Sequence, residues 1–494
     1  MIKRALAASV AIVLTSAAAV SAAGFLQLDD AINTFEAVRE GRPALSIPDI
    51  DRADAGDART IMILGSDERY GDAELEIPPR SDTIILARLD PDKNAITLMS
   101  IPRDLRVDIP GQSYPDKINA AYSNGGANLV VKTVKQLLSS GGENFEIHHV
   151  VQVDFAGFRR GVDYLGCVYV DIDRRYFNDR GGPGGYATID IQPGYQKLCG
   201  RDSLDYVRYR HTDNDIVRAA RQQDFLRQLK DQDSVRARLT LENRNEILKI
   251  LGRYTDPDKD ILKKKTLLSL LKLAIFVSKN PIQEVRFGSG RLQEDGPYLV
   301  ASERAISETV DDFLNARTTA EPRGEVEPTD AEREAAKRGK RQKPSSIPGL
   351  EVAAKEGEDM AIVASSNVKR LPFYYPQLRM AGSQYASPEP RTYRIRDANG
   401  KKHQAYRMVL KQGIVGEYYG VQGMTWRDPP ILDGPYEEVE RKGRTLRVYY
   451  DGRRVRLVAW RTRNGLYYVH NTLLRTIDKR RMIEIAASLK RLGS

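Results

Sequence analysis

The arginines that could do chemistry crowd into one stretch, residues 205–225, which reads DYVRYRHTDNDIVRAARQQDF. It carries Arg208, Arg210, Arg218 and Arg221, with Gln222 and Gln223 beside them and Asp213, Asp215 and Asp224 as the acidic counterweight. A guanidinium fork binds phosphate oxygens two at a time, so four arginines brought together select one phosphate or two. If 206–210 is extended, a period of two sets Arg208 and Arg210 on one face. If a helix starts after Asn214 or Asp215, each a good N-cap, then Arg218, Arg221, Gln222 and Phe225 share a stripe. Further polar residues stand where strands are expected to end: Asp67, Arg69, Arg80, Asp82, Arg103 and Lys117. Acids and cations of this kind in one pocket suit a pyrophosphate held with a divalent ion. Hard Mg²⁺ (or Mn²⁺) takes one or two carboxylates plus phosphate oxygens, and arginines neutralise the rest. For any single arginine the competing reading is a solvated surface charge. No Walker lysine loop or dinucleotide glycine fingerprint is present. Histidines number only five, so metal, arginine and an aspartate base make the economical chemistry.

The elements that must position these residues alternate between strand and helix. An apolar run at 60–64 ends at Gly65, and the charged turn Ser66-Asp67-Glu68-Arg69 follows it. Arg80-Ser81-Asp82-Thr83 leads into a strand at 84–89, and a turn at 90–94 leads into another at 95–101, which predicts a hairpin or meander. Its far end is Ser100-Ile101-Pro102-Arg103-Asp104. In α/β folds the carboxyl edge of the strands is where ligands bind. Residues 116–119 and the pair Gly125-Gly126 flank a helix running to Leu138, and strands at 148–153 and 167–172 bracket a helix at 154–165. A pair of helices is expected over 239–276. The expectation is an α/β domain over 59–315, preceded by a connector at 29–58.

The composition shifts at 316–360, where charge and proline dominate and aromatics vanish, as in a flexible or partly helical linker. The last stretch, 361–494, alternates like antiparallel strands, with Asp397-Ala398-Asn399-Gly400 and Asp451-Gly452 as hairpin turns and a closing helix at 482–489. A small α+β domain is expected there. It carries 26 Lys/Arg against 11 Asp/Glu, so it holds +15 of a chain total of +10. A basic module suggests an anionic partner. Its tyrosines and tryptophans either stack on sugars or form the core.

Lys3 and Arg4 precede an uncharged run at 5–23, which reads as a signal-anchor over 1–28. A retained anchor leaves the rest of the chain outside the cytoplasmic membrane, and a cleaved signal leaves it secreted; either way nucleic acid is excluded as a partner. Cys167 and Cys199 are the only cysteines. They read as one disulfide in an exported protein and as two buried thiols in a cytosolic one.

The runs ILGSDER, RSDTIIL, SIPRD, KINAAYSNGG, DYVRYR and RAARQQ, in this order over about 60–229, resemble the LytR-CpsA-Psr (LCP) family of membrane-anchored wall glycopolymer transferases. The resemblance implies an α/β fold with a central mixed sheet, flanking helices and an apolar groove for a polyprenyl chain. It also implies transfer of a glycopolymer from a polyprenyl-pyrophosphate carrier to a muramyl hydroxyl of peptidoglycan, leaving a phosphodiester. By this likeness Asp67 and Asp82 hold magnesium, and Arg80, Arg103, Arg208, Arg210, Arg218 and Gln222 bind the head-group phosphates. Lys117 and Arg221 act as supporting cations, and Asp104 and Asp215 belong to loop architecture or helix capping. Asp82 is the candidate base, with Arg103 and Asp67 completing the catalytic set. Cys167 departs from the small residue usual in the family, and with Cys199 suggests a disulfide that pins its strand to the loop before the arginine stretch. Two other outcomes stay open: a polyprenyl-pyrophosphate phosphatase, and an idle pocket on a wall protein that binds anionic polymer.

Overall fold

The computed structural model describes residues 33–315 and 347–493, apart from 40–43, 55, 67–80, 94, 141, 143, 182–186, 210–214, 239–243, 278–281, 288–291, 388, 414–416 and 452–453. The signal-anchor expectation at 1–28 therefore lies outside the described residues. Among the described residues no helix is long and apolar enough to cross a membrane. The chain forms two compact units: 1–168, 199–208 and 222–319 make the first, and 169–198, 209–221 and 320–494 the second.

The first unit is built on a mixed sheet. Its centre is β1 (Arg59–Ser66), β2 (Ser81–Asp90) and β3 (Ala95–Ile101), each antiparallel to the next. His149–Val153 adds in parallel beside β1, and Ile282–Arg286 in parallel beside β3. Thr255–Pro257 closes the edge next to His149–Val153. The apolar runs make strands because both faces of this sheet are covered, so continuous rather than alternating hydrophobicity is what the position demands. Met62, Leu64, Ile84, Leu86 and Met99 pack with Val130, Val131 and Val134 of the Ala120–Leu138 helix. Each such side chain contributes roughly 1.5–3 kcal/mol on burial. The glycines expected at that helix's border lie inside it and break it, with Gly126 at φ +62. The expected connector is tied down as well: Ile47 is buried, and Asp51 accepts from Lys135 Nζ at 2.7 Å and from the Ile147 amide at 2.8 Å.

Cys167 and Cys199 form a disulfide with Cα atoms 4.4 Å apart. The bridge joins the start of one strand to the loop immediately before the Gly200–Arg208 helix. That helix corrects the extended reading of 206–210, since Tyr206, Val207 and Arg208 are helical. The alternation Tyr-Val-Arg-Tyr-Arg looks like a strand, but packing against the Phe155–Tyr164 helix decides the matter. A Cβ on Gly200 would lie 2.3 Å from the Arg159 carbonyl oxygen, so only glycine lets the two backbones approach this closely.

The second unit holds an antiparallel sheet. Its order runs Gln384–Tyr385, Lys402–Lys411, Tyr418–Met424, Leu466–His470, Arg454–Arg461, Arg444–Asp451, Tyr436–Arg441, with Arg391–Arg396 also on Lys402–Lys411. The helices Ala354–Ser365 and Lys479–Ala487 belong to this unit, the first of them starting within the stretch read as linker. Tyr406, Tyr419, Trp460 and Tyr467 are core, which settles the choice posed by the aromatic composition for these four. Earlier chain packs against this sheet. Tyr169 and Tyr195 pack with Trp426, Leu457 and Tyr468, and Arg407 Nη1 donates to Asp171 Oδ1 at 3.0 Å in a buried ion pair.

Candidate functional site

Strand register brings the backbone at Asp82 and the Arg103 loop to one edge of the first unit's sheet. Ser66 at the end of β1 faces Ser81 at the start of β2, while Gly65 faces Thr83, so the register skips Asp82. Asp82 is thus the bulged residue, and bulges re-aim a side chain beside active sites. Asp67 is the next residue after Ser66. Ile101, the end of β3, faces Ile84, which brings the Arg103 loop to the same edge. Val153 faces Gly65, so the Phe155–Tyr164 helix also starts here, capped by Asp154, whose Oδ1 accepts from the Ala156 amide at 2.8 Å. This is the carboxyl edge of β1, β3 and His149–Val153, the usual ligand edge of an α/β sheet. Asp67, Arg69, Arg80 and Arg210, with the side chains of Asp82 and Asp215, lie outside the described residues.

The Arg103 loop is cross-braced. Asp104 stands between two cations, with Arg103 Nε 3.5 Å from Oδ2 and Lys117 Nζ 2.7 Å from Oδ1. The backbone sets this geometry: Arg106–Val107 pairs with Asp116–Lys117, the Ile118 amide donates to Leu105 at 2.8 Å, and Asn119 to Arg103 at 3.2 Å. The motif residues Arg103 and Lys117 are therefore brought together, and Asp104 takes the loop-building place expected of it. The carboxylate keeps two cations close at partly exposed positions, where a phosphate can reach them.

Arg208 closes the Gly200–Arg208 helix and is held by Asp205, whose Oδ1 accepts from Nε at 3.0 Å. Its guanidinium lies 5.8 Å from the Phe155 ring centroid, at the same sheet edge. Burial, with the Asp205 charge adding to it, raises the Asp202 carboxyl above its ordinary value. Asp205 was not singled out from the sequence, although its i,i+3 spacing to Arg208 is the usual signal for a helical ion pair.

The Asp215–Asp231 helix starts where the N-cap reading set it. Arg218, Arg221, Gln222 and Phe225 are all buried, but so are Gln223, Asp224, Arg227 and Gln228. Burial thus extends beyond the expected stripe, and the polar side chains must be paired inside. Gln222 Nε2 donates to the Val207 carbonyl at 3.0 Å, linking this helix to the one that carries Arg208. Arg227 pairs with Asp224 and lies 3.7 Å from Glu284, while Gln228 Nε2 donates to Asp224 Oδ2 at 2.5 Å. This acid–amide–arginine set was not legible beforehand, because Glu284 comes from a distant strand. Arg218 and Arg221 fall in the second unit. Arg221 donates from Nη2 to the Tyr209 carbonyl and lies over the rings of Tyr176, at 4.8 Å, and Tyr209, at 5.8 Å.

Two other places among the described residues gather polar groups. Asp163, Cys167 and Cys199 cluster closely enough for a metal, but the sulfurs are bonded to each other and offer no thiolate. A polar hollow of about 500 Å³, lined by Arg52, Asp54, Arg88, Asp90, Glu146 and His148 among others, lies at the opposite end of β1 and β2. Acids outnumber cations there, the wrong balance for a phosphate.

The model of the LytR_cpsA_psr family matches residues 28–312. The chain is 34% identical over 221 residues to the polyisoprenyl-teichoic acid–peptidoglycan teichoic acid transferase TagU of Oceanobacillus iheyensis, covering 43% of this chain and 62% of that protein. It is 31% identical over 217 residues to the transferase TagT of Bacillus subtilis, covering 44% and 65%. The chain thus spans less than two-thirds of the length of these two relatives. Among solved structures, TagT with bound octaprenyl pyrophosphate lipid aligns with a TM-score of 0.38 at 22% identity, over 56% of this chain and 97% of that one.

Proposed function

Because the chain belongs to the LytR-CpsA-Psr family over residues 28–312, we propose that it is a phosphotransferase that attaches a glycopolymer, delivered on a polyprenyl-pyrophosphate carrier, to peptidoglycan. The observation that supports this most is the register at the sheet edge, where the bulge at Asp82, the residue before Asp67 and the Arg103 loop lie on adjacent strands. By the family resemblance Asp67 and Asp82 would add hard oxygen donors to that edge, the donor set that suits Mg²⁺ or Mn²⁺ with phosphates.

In this reading Arg103, Lys117 and Arg208 bind the pyrophosphate oxygens, with Arg80, Arg210, Arg218, Arg221 and Gln222 as further contributors. Asp67 and Asp82 would hold the metal ion, which when bound neutralises phosphate charge. Asp82 takes the proton from the attacking muramyl hydroxyl. The hydroxyl oxygen bonds to the phosphorus next to the sugar, the bridging P–O bond breaks, and polyprenyl phosphate leaves. Arg103, braced by Asp104, holds the charge that develops on the leaving phosphate. The reaction is placed outside the cytoplasmic membrane, and the Cys167–Cys199 disulfide supports an oxidising compartment.

The test incubates the full chain with a short-chain polyprenyl-pyrophosphate saccharide and magnesium, with and without peptidoglycan oligomers, and follows products by mass spectrometry. Transfer that needs acceptor and metal and falls at least about 100-fold in Arg103→Ala and Asp82→Ala is expected. Phosphate release with no acceptor product would make it a phosphatase. Binding without turnover would leave an idle protein that binds anionic polymer.

A further inference from the structure

The basic C-terminal residues invite a wall-docking role, but their packing gives them another task. The second unit joins them to two pieces of the family domain, 169–198 and 209–221, and the second piece contains Arg218 and Arg221. Two of the contacts between them bear on the turns that carry these arginines. In one, Leu473 packs against Val217 and Ala220, on the first turns of the Asp215–Asp231 helix. In the other, the Arg174 guanidinium lies over three rings: Tyr176 at 4.4 Å, Tyr418 at 5.1 Å and Tyr209 at 5.5 Å. Arg221 lies over two of the same rings, Tyr176 and Tyr209. Tyr176 is fixed by its hydroxyl, which donates to Asp173 at 2.6 Å, and Tyr209 by its hydroxyl on the Phe177 carbonyl at 3.1 Å. The alternating order is Tyr418, Arg174, the Tyr176/Tyr209 pair, Arg221. Each cation polarises the face of the ring it covers, so the stack holds its members at fixed spacing.

We propose that the C-terminal module is a positioning part of the phosphate-binding apparatus. Tyr418, through Arg174 and the Tyr176/Tyr209 rings, and Leu473, through Val217 and Ala220, hold the turns that carry Arg218 and Arg221. The proposal rests on the phosphotransferase reading for its purpose and on the packing alone for its mechanics. Tyr418 and Leu473 touch no substrate; they act through the arginines.

The experiment uses the full chain and geranyl pyrophosphate as the probe. Affinity is measured by calorimetry for wild type, Tyr418→Leu, Leu473→Ala, Arg221→Ala and the Tyr418→Leu/Arg221→Ala double variant, with melting midpoints and amide exchange over 215–221. Tyr418→Leu should weaken binding about 5- to 10-fold, the size expected of a desolvated cation–ring contact, with the midpoint within a few degrees of wild type. The loss should vanish in the Arg221→Ala background, and Leu473→Ala should speed exchange over 215–221. Additive losses, or unchanged affinity and exchange in folded Tyr418→Leu and Leu473→Ala proteins, would overturn the positioning role. A wild type that ignores geranyl pyrophosphate would overturn the functional reading and the purpose assigned here. Exchange over 215–221 would then judge the mechanics by itself.

Discussion

Asp104 carries no chemistry of its own, yet two motif cations depend on it. Replacing it with asparagine removes the charge that holds Arg103 and Lys117 together. The groups are partly exposed, so the stability cost should be at most about 1 kcal/mol, while transfer should fall about 10-fold as Arg103 loses its orientation. A melt and a rate measured on Asp104→Asn would separate these effects. His148 governs a different property. Its Nδ1 accepts from the Thr60 amide at 3.0 Å, and burial, then Arg59 and His149, push its pKa down to about 4. The unfolded chain takes up this proton near pH 6.5 and the folded chain only near 4, so the unfolded state binds more protons in between. Stability is therefore full above about pH 6.5 and declines as pH falls toward 4, by about 3 kcal/mol for this group. His470, buried beside Arg407, is lowered in the same direction. Urea melts from pH 4 to 7 should show the slope, and His148→Asn, which can still accept the Thr60 bond, should reduce it by about one proton.

The Gly200–Arg208 helix is fixed at its N-terminus twice over, by the bridge at Cys199 and by the close approach of Gly200 to the Arg159 backbone. The disulfide spans 32 residues. Its removal in Cys167→Ser/Cys199→Ser should cost about 3–4 kcal/mol by loop entropy, read as a lower melting midpoint that reductant no longer shifts. Gly200→Ala pushes a methyl into the Arg159 backbone and should cost roughly 1–3 kcal/mol. The central strands were legible because doubly covered strands are written as unbroken apolar runs, and β1, β2 and β3 coincide with them. The start of the Asp215–Asp231 helix was legible because Asn214 and Asp215 are residue types that favour an N-cap. The Gly200–Arg208 helix was not, because 206–210 alternates like a strand and only contact with the Phe155–Tyr164 helix overrides that preference. The Asp82 bulge was equally hidden, since register depends on what β1 does opposite it.

At the scale of the molecule, the least legible feature was the partnership between 169–198 and the C-terminal sheet. Asp171 and Arg407 are 236 residues apart, and no local pattern announces that they meet. The Tyr468 hydroxyl donates to the same carboxylate at 2.9 Å, so two side chains of the C-terminal sheet pair the buried Asp171. A chain truncated before residue 347 should leave this carboxylate and the Tyr169 and Tyr195 rings uncovered. Such a protein should aggregate, or be cut rapidly within 169–198 in limited proteolysis, rather than survive as a free-standing catalytic domain. A stable, protease-resistant truncation would count against that view.

The same long pairing sets a clock on biogenesis. At about 5–20 residues per second, a ribosome needs roughly 10–50 s to add the residues between Asp171 and Arg407. During that interval the Val168–Ile172 strand, paired with Gly194–Leu198, has no C-terminal sheet to pack against. The Tyr169 and Tyr195 rings and the Asp171 carboxylate therefore stay uncovered until the C-terminal sheet is made. Holdase chaperones should matter more to the yield of this protein than to that of a chain whose domains close one after another.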